Sequence, residues 1–229
     1  MSRLIAAVRT NRKLSETLYL VFLSLLCCGL LAARVTYTGS RYFTFLIWNL
    51  FLAFIPWMVS TALRLMPLLR KSRLITLLLF CVWLLFFPNA PYILTDLFHL
   101  GTVNDAPVWF DLVMLLSFAL TGMLLCFMSL WDIENLLKSV MNKTAVKVLV
   151  SLLLFVCAFG IYLGRYLRWN SWDIISSPLG LVTDMAMRIL KPDAFPGAWG
   201  MTLLYGVFLN IAYIAYRSSR DIKLTMSKW

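Results

Sequence analysis

Six apolar runs divide the chain: residues 17–33, 42–63, 74–95, 109–130, 147–164 and 198–216, which together carry only two charged side chains, Asp111 and Lys147. Each has the length, roughly 17 to 25 residues, that an α-helix needs to cross the hydrocarbon of a bilayer. The pattern predicts an all-α fold, a polytopic integral membrane bundle of six transmembrane helices. They form one transmembrane domain over residues 1–229, with 217–229 as a basic cytoplasmic tail. A cleaved secretory signal is the rival reading of the first run, but its apolar part is longer than the usual ~7–15 residues and no small-x-small cleavage site comes after it. Pro56 inside the second run predicts a kink.

The third run is unlike the others. Only 14 uncharged residues, 74–87, separate Arg73 from Pro88, so the remaining length has to come from Pro88-Asn89-Ala90-Pro91-Tyr92 and the residues after Tyr92. Each proline lacks an N–H and disfavours helix in the residue before it, which predicts a break at Asn89-Ala90. A new helix can start at Pro91 and stop at Gly101. On an α-helix Tyr92, Thr95, Asp96 and His99 share one face. That polar stripe lies near membrane depth, where freed backbone groups are tolerated only against protein or a wet cavity. One long connection remains, the 34 residues 165–198. Within it Leu181, Val182, Met185 and Ile189 recur at helical spacing and predict a short helix over 178–190 lying in the outer membrane interface.

Composition excludes a soluble domain: 62% of residues are hydrophobic, 14% are charged and the mean hydropathy is +0.84. The net charge of +11 raises the question of nucleic acid, but 15 of the 21 Lys and Arg sit in four segments: before run one, between two and three, between four and five, and after six. The opposite loops hold the other six. This split places both termini in the cytoplasm and makes membrane lipid, rather than nucleic acid, the partner of the basic charge. Asn104 falls in an outer loop on this topology. All five cysteines lie inside apolar runs without a CxxC, as packing residues do.

Three stretches bearing chemistry converge on the predicted outer face. The first holds Asn89, Tyr92, Asp96 and His99; the second is Asp111 behind Trp109-Phe110; the third runs from Gly164 through Arg165, Arg168 and Asn170 to Asp173. Asp96, His99 and Asp111 are the candidate catalytic acid-base groups. Asn89, Tyr92, Arg165, Arg168, Asn170 and Asp173 are the candidate substrate-binding groups, since the guanidinium fork suits a phosphate or carboxylate. The alternative is architectural: Asp111 and Asp173 neutralise the arginines, and Asp111 is expected to be held ionised by Arg165 or Arg168. Asp96, His99, Asp111 and Asp173 form only a generic donor set, and no HExxH pair is present, so neither a metal nor another cofactor is expected. Gly160-x-x-x-Gly164 predicts a close helix contact beside Arg165.

These blocks, Pro88-Asn89-Ala90-Pro91-Tyr92 with Asp96 and His99, Trp109-Phe110-Asp111, and Gly160-Ile161-Tyr162-Leu163-Gly164-Arg165-Tyr166-Leu167-Arg168-Trp169-Asn170-Ser171-Trp172-Asp173, resemble the signatures of an uncharacterised bacterial multi-pass membrane family, domain of unknown function 1361 (DUF1361). The resemblance covers roughly residues 75 to 180. It implies a bacterial inner-membrane protein and supplies no activity. The residues support two functions. One is an enzyme acting on a lipid-linked or anionic amphiphilic substrate at the outer leaflet. The other is a small-ligand binding or transport module, or a membrane-embedded accessory subunit, in which the same residues form a structural ion-pair network. Oligomeric state is left open by either.

Overall fold

The computed structural model describes the backbone of residues 2–103 and 105–226 and the side chains of 13–103 and 105–220; Asn104 lies outside the described residues. Nine α-helices and no strand occur among these residues. Helix α1 spans Ser2–Thr38, α2 Phe45–Leu65, α3 Arg73–Phe86, α4 Asn89–Tyr92, α5 Val108–Leu137, α6 Lys143–Leu167, α7 Asp173–Ser176, α8 Pro178–Leu190 and α9 Pro196–Met226. Six segments are long and apolar enough to cross a membrane: Lys13–Thr38, Tyr42–Leu65, Arg73–His99, Val108–Leu137, Lys143–Leu167 and Pro196–Arg220. The protein is a multi-pass membrane protein. Because the spans are even in number, one end of the bundle carries the two ends of the chain (the terminal end) and the other carries the proline motif and the long connection (the motif end).

Helix α5 is the axis. It packs against α1, α2, α4, α6 and α9, and Met114, Leu115, Phe118, Leu125, Cys126 and Leu130 are buried along it, while Val113 and Leu120 near its motif end face outward. Of the six spanning segments it is the most deeply buried. The outer helices keep large apolar side chains facing away from the protein, such as Leu18 and Phe22 on α1 and Leu204 and Ile211 on α9, which in lipid carries no penalty. Helix starts are locally encoded: Ser72 caps α3 by accepting from the Ile75 N–H at 3.4 Å, and Asn142 caps α6 by accepting from the Ala145 N–H at 2.7 Å. Helix α2 runs through Pro56 without interruption, and the Pro56 carbonyl accepts from Ser129 Oγ, which itself accepts from Trp83 Nε1. This relay joins α2, α5 and α3 in the buried interior.

The third crossing is built in pieces. Helix α3 stops at Phe86, α4 covers Asn89–Tyr92, and Ile93–His99 continues as a 3-10 helix, after which Gly101 turns the chain at φ 75°. The expected α-helical stripe is thereby altered. At three residues per turn, Ile93, Asp96 and His99 form one ridge and Tyr92, Thr95 and Phe98 another, so Tyr92 and Asp96 point into different neighbourhoods.

Glycines seat this broken segment. A Cβ at Gly122 of α5 would collide with the Ala90 carbonyl, one at Gly160 of α6 would lie 2.7 Å from Pro88 Cγ, and one at Gly164 would lie 3.2 Å from Tyr92 Cε2. The Gly160/Gly164 pair therefore receives the proline motif of its own chain. Helix α8 falls on the residues that the apolar spacing marked. Leu181 and Met185 turn toward the protein, whereas Val182 and Ile189 face outward. Two indoles fix its position: Trp169 Nε1 donates to Asp184 Oδ2 at 2.8 Å and Trp199 Nε1 to the Arg188 carbonyl at 2.9 Å.

Candidate functional site

A cleft of about 410 Å³ opens at the motif end between α2, the α3–α4 break, α6 and α8, within the size range of small-molecule sites. Its polar wall is Asn49, Asn89, Tyr92, Asn170 and Ser171; Trp48 and Trp169 flank it and Leu181 and Met185 roof it. From there an apolar wall continues along α3 to Cys81 and along α6 through Phe159 to Val156. Eight residues of α6 separate Gly164 from Val156, a depth of roughly 12 Å at helical rise. Cys81 and Val156 are exposed, so the lower cleft opens sideways toward lipid.

Hydrogen bonds fix every amide in the polar wall. Asn89 Nδ2 donates to the Phe86 carbonyl at 3.0 Å and to Ser171 Oγ at 2.9 Å, and Ser171 Oγ donates to the Leu85 carbonyl at 3.1 Å. These bonds cap the carbonyls that the proline break leaves without helical partners and tie the motif to the α6–α7 connection. Asn49 Nδ2 donates to Asp96 Oδ2 at 2.9 Å. Asp96 is buried and does not line the cleft; its other oxygen accepts from Arg165 Nη1 at 3.3 Å. The Arg165 guanidinium lies against the rings of Phe98 and Tyr92, 5.3 and 6.0 Å from their centroids.

The remaining candidates are distributed elsewhere. His99 Nδ1 is 3.0 Å from the Tyr42 hydroxyl, at the start of the second crossing. Arg168 ends α6 in the left-handed conformation, φ 59°, and with Trp169 donates its N–H to the Leu163 carbonyl; its side chain is exposed. Asp173 closes the next turn. It accepts from the Asn170 N–H at 2.7 Å and the Ser176 hydroxyl at 2.8 Å, and these two bonds hold its carboxyl below the usual carboxylate range.

Asp111 does not meet Arg165 or Arg168. Its partner is Arg34 of α1, with Nε–Oδ1 at 2.6 Å and Nη2–Oδ2 at 3.1 Å. Arg34 Nη2 also reaches Asp105 at 2.6 Å, and the guanidinium stacks 4.5 Å from the Phe43 ring centroid. The charged residues thus separate into Asp96–Arg165 behind the cleft and Arg34–Asp111–Asp105 on the α1 side of α5. No three His, Cys, Asp or Glu side chains gather among the described residues.

Sequence reasoning passed over three residues that matter here. Arg34, just past the end of the first run, and Asn49, inside the second, were not singled out, and Ser171 entered only as part of a block. Asn49 had a usable signal, because a lone amide in a 22-residue uncharged run has to find a buried partner.

A family model described as protein of unknown function (DUF1361) matches residues 48–212, most of the chain. The protein belongs to the DUF1361 family. The match is wider than residues 75 to 180, so it also takes in most of the second and sixth crossings. Every residue lining the cleft lies inside the DUF1361 stretch, while Arg34 lies outside it. No curated protein and no solved structure matches the chain.

Proposed function

We propose that this DUF1361 protein lies in the bacterial inner membrane with both termini in the cytoplasm, and that its cleft holds an amphiphile drawn from the outer leaflet. The orientation rests on the 15 of 21 basic residues at the terminal end. With the native cysteines replaced, a cysteine at Thr102 is expected to react with a membrane-impermeant maleimide added outside intact cells. Labelling only after the inner membrane is opened reverses the orientation.

The observation that carries the binding reading is the cleft's two-part lining: neutral polar groups at the motif end, an apolar wall below, and a side opening to lipid. That sequence of surfaces matches a polar head attached to a hydrocarbon chain. Val156 is 54% exposed, so Val156→Trp fills the lower cleft without disturbing the polar wall or the core. Mass spectrometry of protein extracted from membranes is expected to show bound amphiphile falling by about tenfold in this variant, a loss of roughly 1.4 kcal/mol. Unchanged occupancy refutes the site.

One observation favours a second reading, an enzyme acting on a lipid-linked substrate. Asp96 is 1% exposed and a single Asn49 amide separates it from the cleft, so a substrate hydroxyl taking the place of that amide would meet a carboxylate able to accept its proton.

A further inference from the structure

The geometry points to the head group the cleft selects: an uncharged, polyhydroxylated head, of the glycosyl class, on an apolar chain. This rests on the cleft being the amphiphile site proposed above.

The argument is a count of donors and acceptors. An Asn side chain offers two N–H donors on one end and a carbonyl acceptor on the other. In Asn49, Asn89 and Asn170 the nitrogen end is already committed. Asn89 donates to the Phe86 carbonyl and Asn49 to the Asp96 carboxylate, partners that can only accept, and Asn170 Nδ2 faces the Arg168 carbonyl and Asp173 at 3.4 Å. None of the three amides can turn round without setting oxygen against oxygen. Ser171 is spent as well, accepting from Asn89 and donating to Leu85. What the polar wall leaves open is three carbonyl oxygens, the second N–H of Asn49 and the Tyr92 hydroxyl, with the Trp48 indole N–H at the rim. The carbonyl oxygens of Asn49 and Asn89 have no protein partner and are not among the buried unsatisfied atoms, so they are open to a ligand.

Three head-group chemistries can be tested against such a wall. Phosphate and carboxylate present only acceptors and would face three carbonyl oxygens with one indole, one phenol and one amide N–H as donors and no cation among them; the cation expected to grip them, Arg165, is paired with Asp96, and Arg168 lies at the helix end. An ammonium head would find acceptors but no carboxylate lining the cleft; the carboxylates around it are already engaged, Asp96 by Asn49 and Arg165, Asp173 by Asn170 and Ser176, and Asp184 by Trp169 and Arg188. Hydroxyls satisfy both halves of the wall: they donate to the three carbonyl oxygens and accept from Trp48. The rings of Trp48, Trp169 and Tyr92 around the same space supply apolar faces for the C–H surface of a sugar ring.

The test uses the full chain in phosphatidylcholine nanodiscs, titrated with three lipids of identical acyl chains: glucosyl diacylglycerol, phosphatidic acid and phosphatidylethanolamine. Native mass spectrometry reads the bound fraction of each. Glucosyl diacylglycerol is expected to bind about tenfold more tightly than either phospholipid, with the preference reduced several-fold in Tyr92→Phe and in Asn170→Ala, each of which removes one hydrogen-bonding group near the surface of the fold. Phosphatidic acid or phosphatidylethanolamine binding as tightly as the glucosyl lipid, and all of them lost in Val156→Trp, overturns the head-group assignment while the amphiphile site stands. Binding of all three lipids that is indifferent to Val156→Trp overturns both.

Discussion

Arg34→Gln alone is expected to destabilise the folded protein by about 3–5 kcal/mol, because it leaves the Asp111 carboxylate desolvated beside a second carboxylate, Asp105. Arg34 is 1% exposed and Asp111 2% exposed, so neither can reach water once its partner is gone. Asp111→Asn should cost less, since Arg34 keeps a second carboxylate, Asp105 at 2.6 Å, although its Nη1 already has no hydrogen-bond acceptor. The double variant removes both charges and is expected to recover much of the loss. Thermal or denaturant unfolding in detergent, run as a mutant cycle, measures the coupling directly. The companion cycle, Asp111→Asn with Arg165→Gln, should be additive within about 0.5 kcal/mol, because those residues belong to separate networks. Coupling in the second cycle and none in the first would show that Asp111 pairs as its depth alone suggested.

Why the sequence pointed Asp111 to the wrong arginine has a simple physical basis. Distance along an apolar run gives depth in the bilayer, and Asp111 and Arg165 do lie at the same end of neighbouring antiparallel helices. Arg34, closing the first run, lies at that end too. Depth is one coordinate, and contact needs a second, the angular order of helices around α5, which hydropathy does not contain. The same distinction separates the rest of what was legible from what was not. The six crossings, the helix over 178–190 and the close approach at Gly160 and Gly164 all depend on local sequence, through apolar length, periodicity or the absence of a Cβ; proline chemistry announced a break in the third crossing but not its place, which is Phe87-Pro88 rather than Asn89-Ala90, the new helix starting at Asn89 rather than Pro91. The polar face expected across Tyr92, Asp96 and His99 assumed 3.6 residues per turn; the 3-10 geometry of Ile93–His99 sends Tyr92 to the cleft, Asp96 to Asn49 and Arg165, and His99 to Tyr42.

The terminal end carries the largest feature that hydropathy concealed. The fourth apolar run ends at Leu130, yet α5 continues to Leu137 and buries Asp132 and Glu134 completely. Two residues apart on a helix, the acids face nearly opposite sides. Asp132 turns to α1 and α2, where it pairs with Lys13 and Arg64; Glu134 turns to α9, where it pairs with Arg217 at 3.1 Å and accepts from the Tyr213 hydroxyl, with Lys138 at 2.9 Å. Lys13 also holds Glu16 at 2.8 Å, and Glu16 pairs with Arg220 of α9. Basic residues at the terminal end are thus the bolts between α1, α2, α5 and α9. The alternation of a Trp131-Asp132-Ile133-Glu134 stretch directly after an uncharged run was the available signal.

The two acids should differ in what their loss costs. Asp132→Asn strands Arg64, whose side chain is 16% exposed, and leaves Lys13, 3% exposed, with the Glu16 carboxylate alone, which it shares with Arg220, so the expected loss is about 3–5 kcal/mol. Glu134→Gln strands Arg217 and Lys138, whose side chains are 23% and 31% exposed. Long cationic side chains with that much access can swing their heads into water or the headgroup layer, so the loss there should be smaller by roughly 1–2 kcal/mol. Because Asp132 is out of contact with solvent, raising the salt to about 1 M should leave the Asp132→Asn deficit nearly unchanged, where an exposed pair would be screened away. Unfolding of both variants at low and high salt checks the order and the salt response together. Equal losses, or a deficit at Asp132 that disappears in salt, would mean that water enters the terminal end and that the network does not close it.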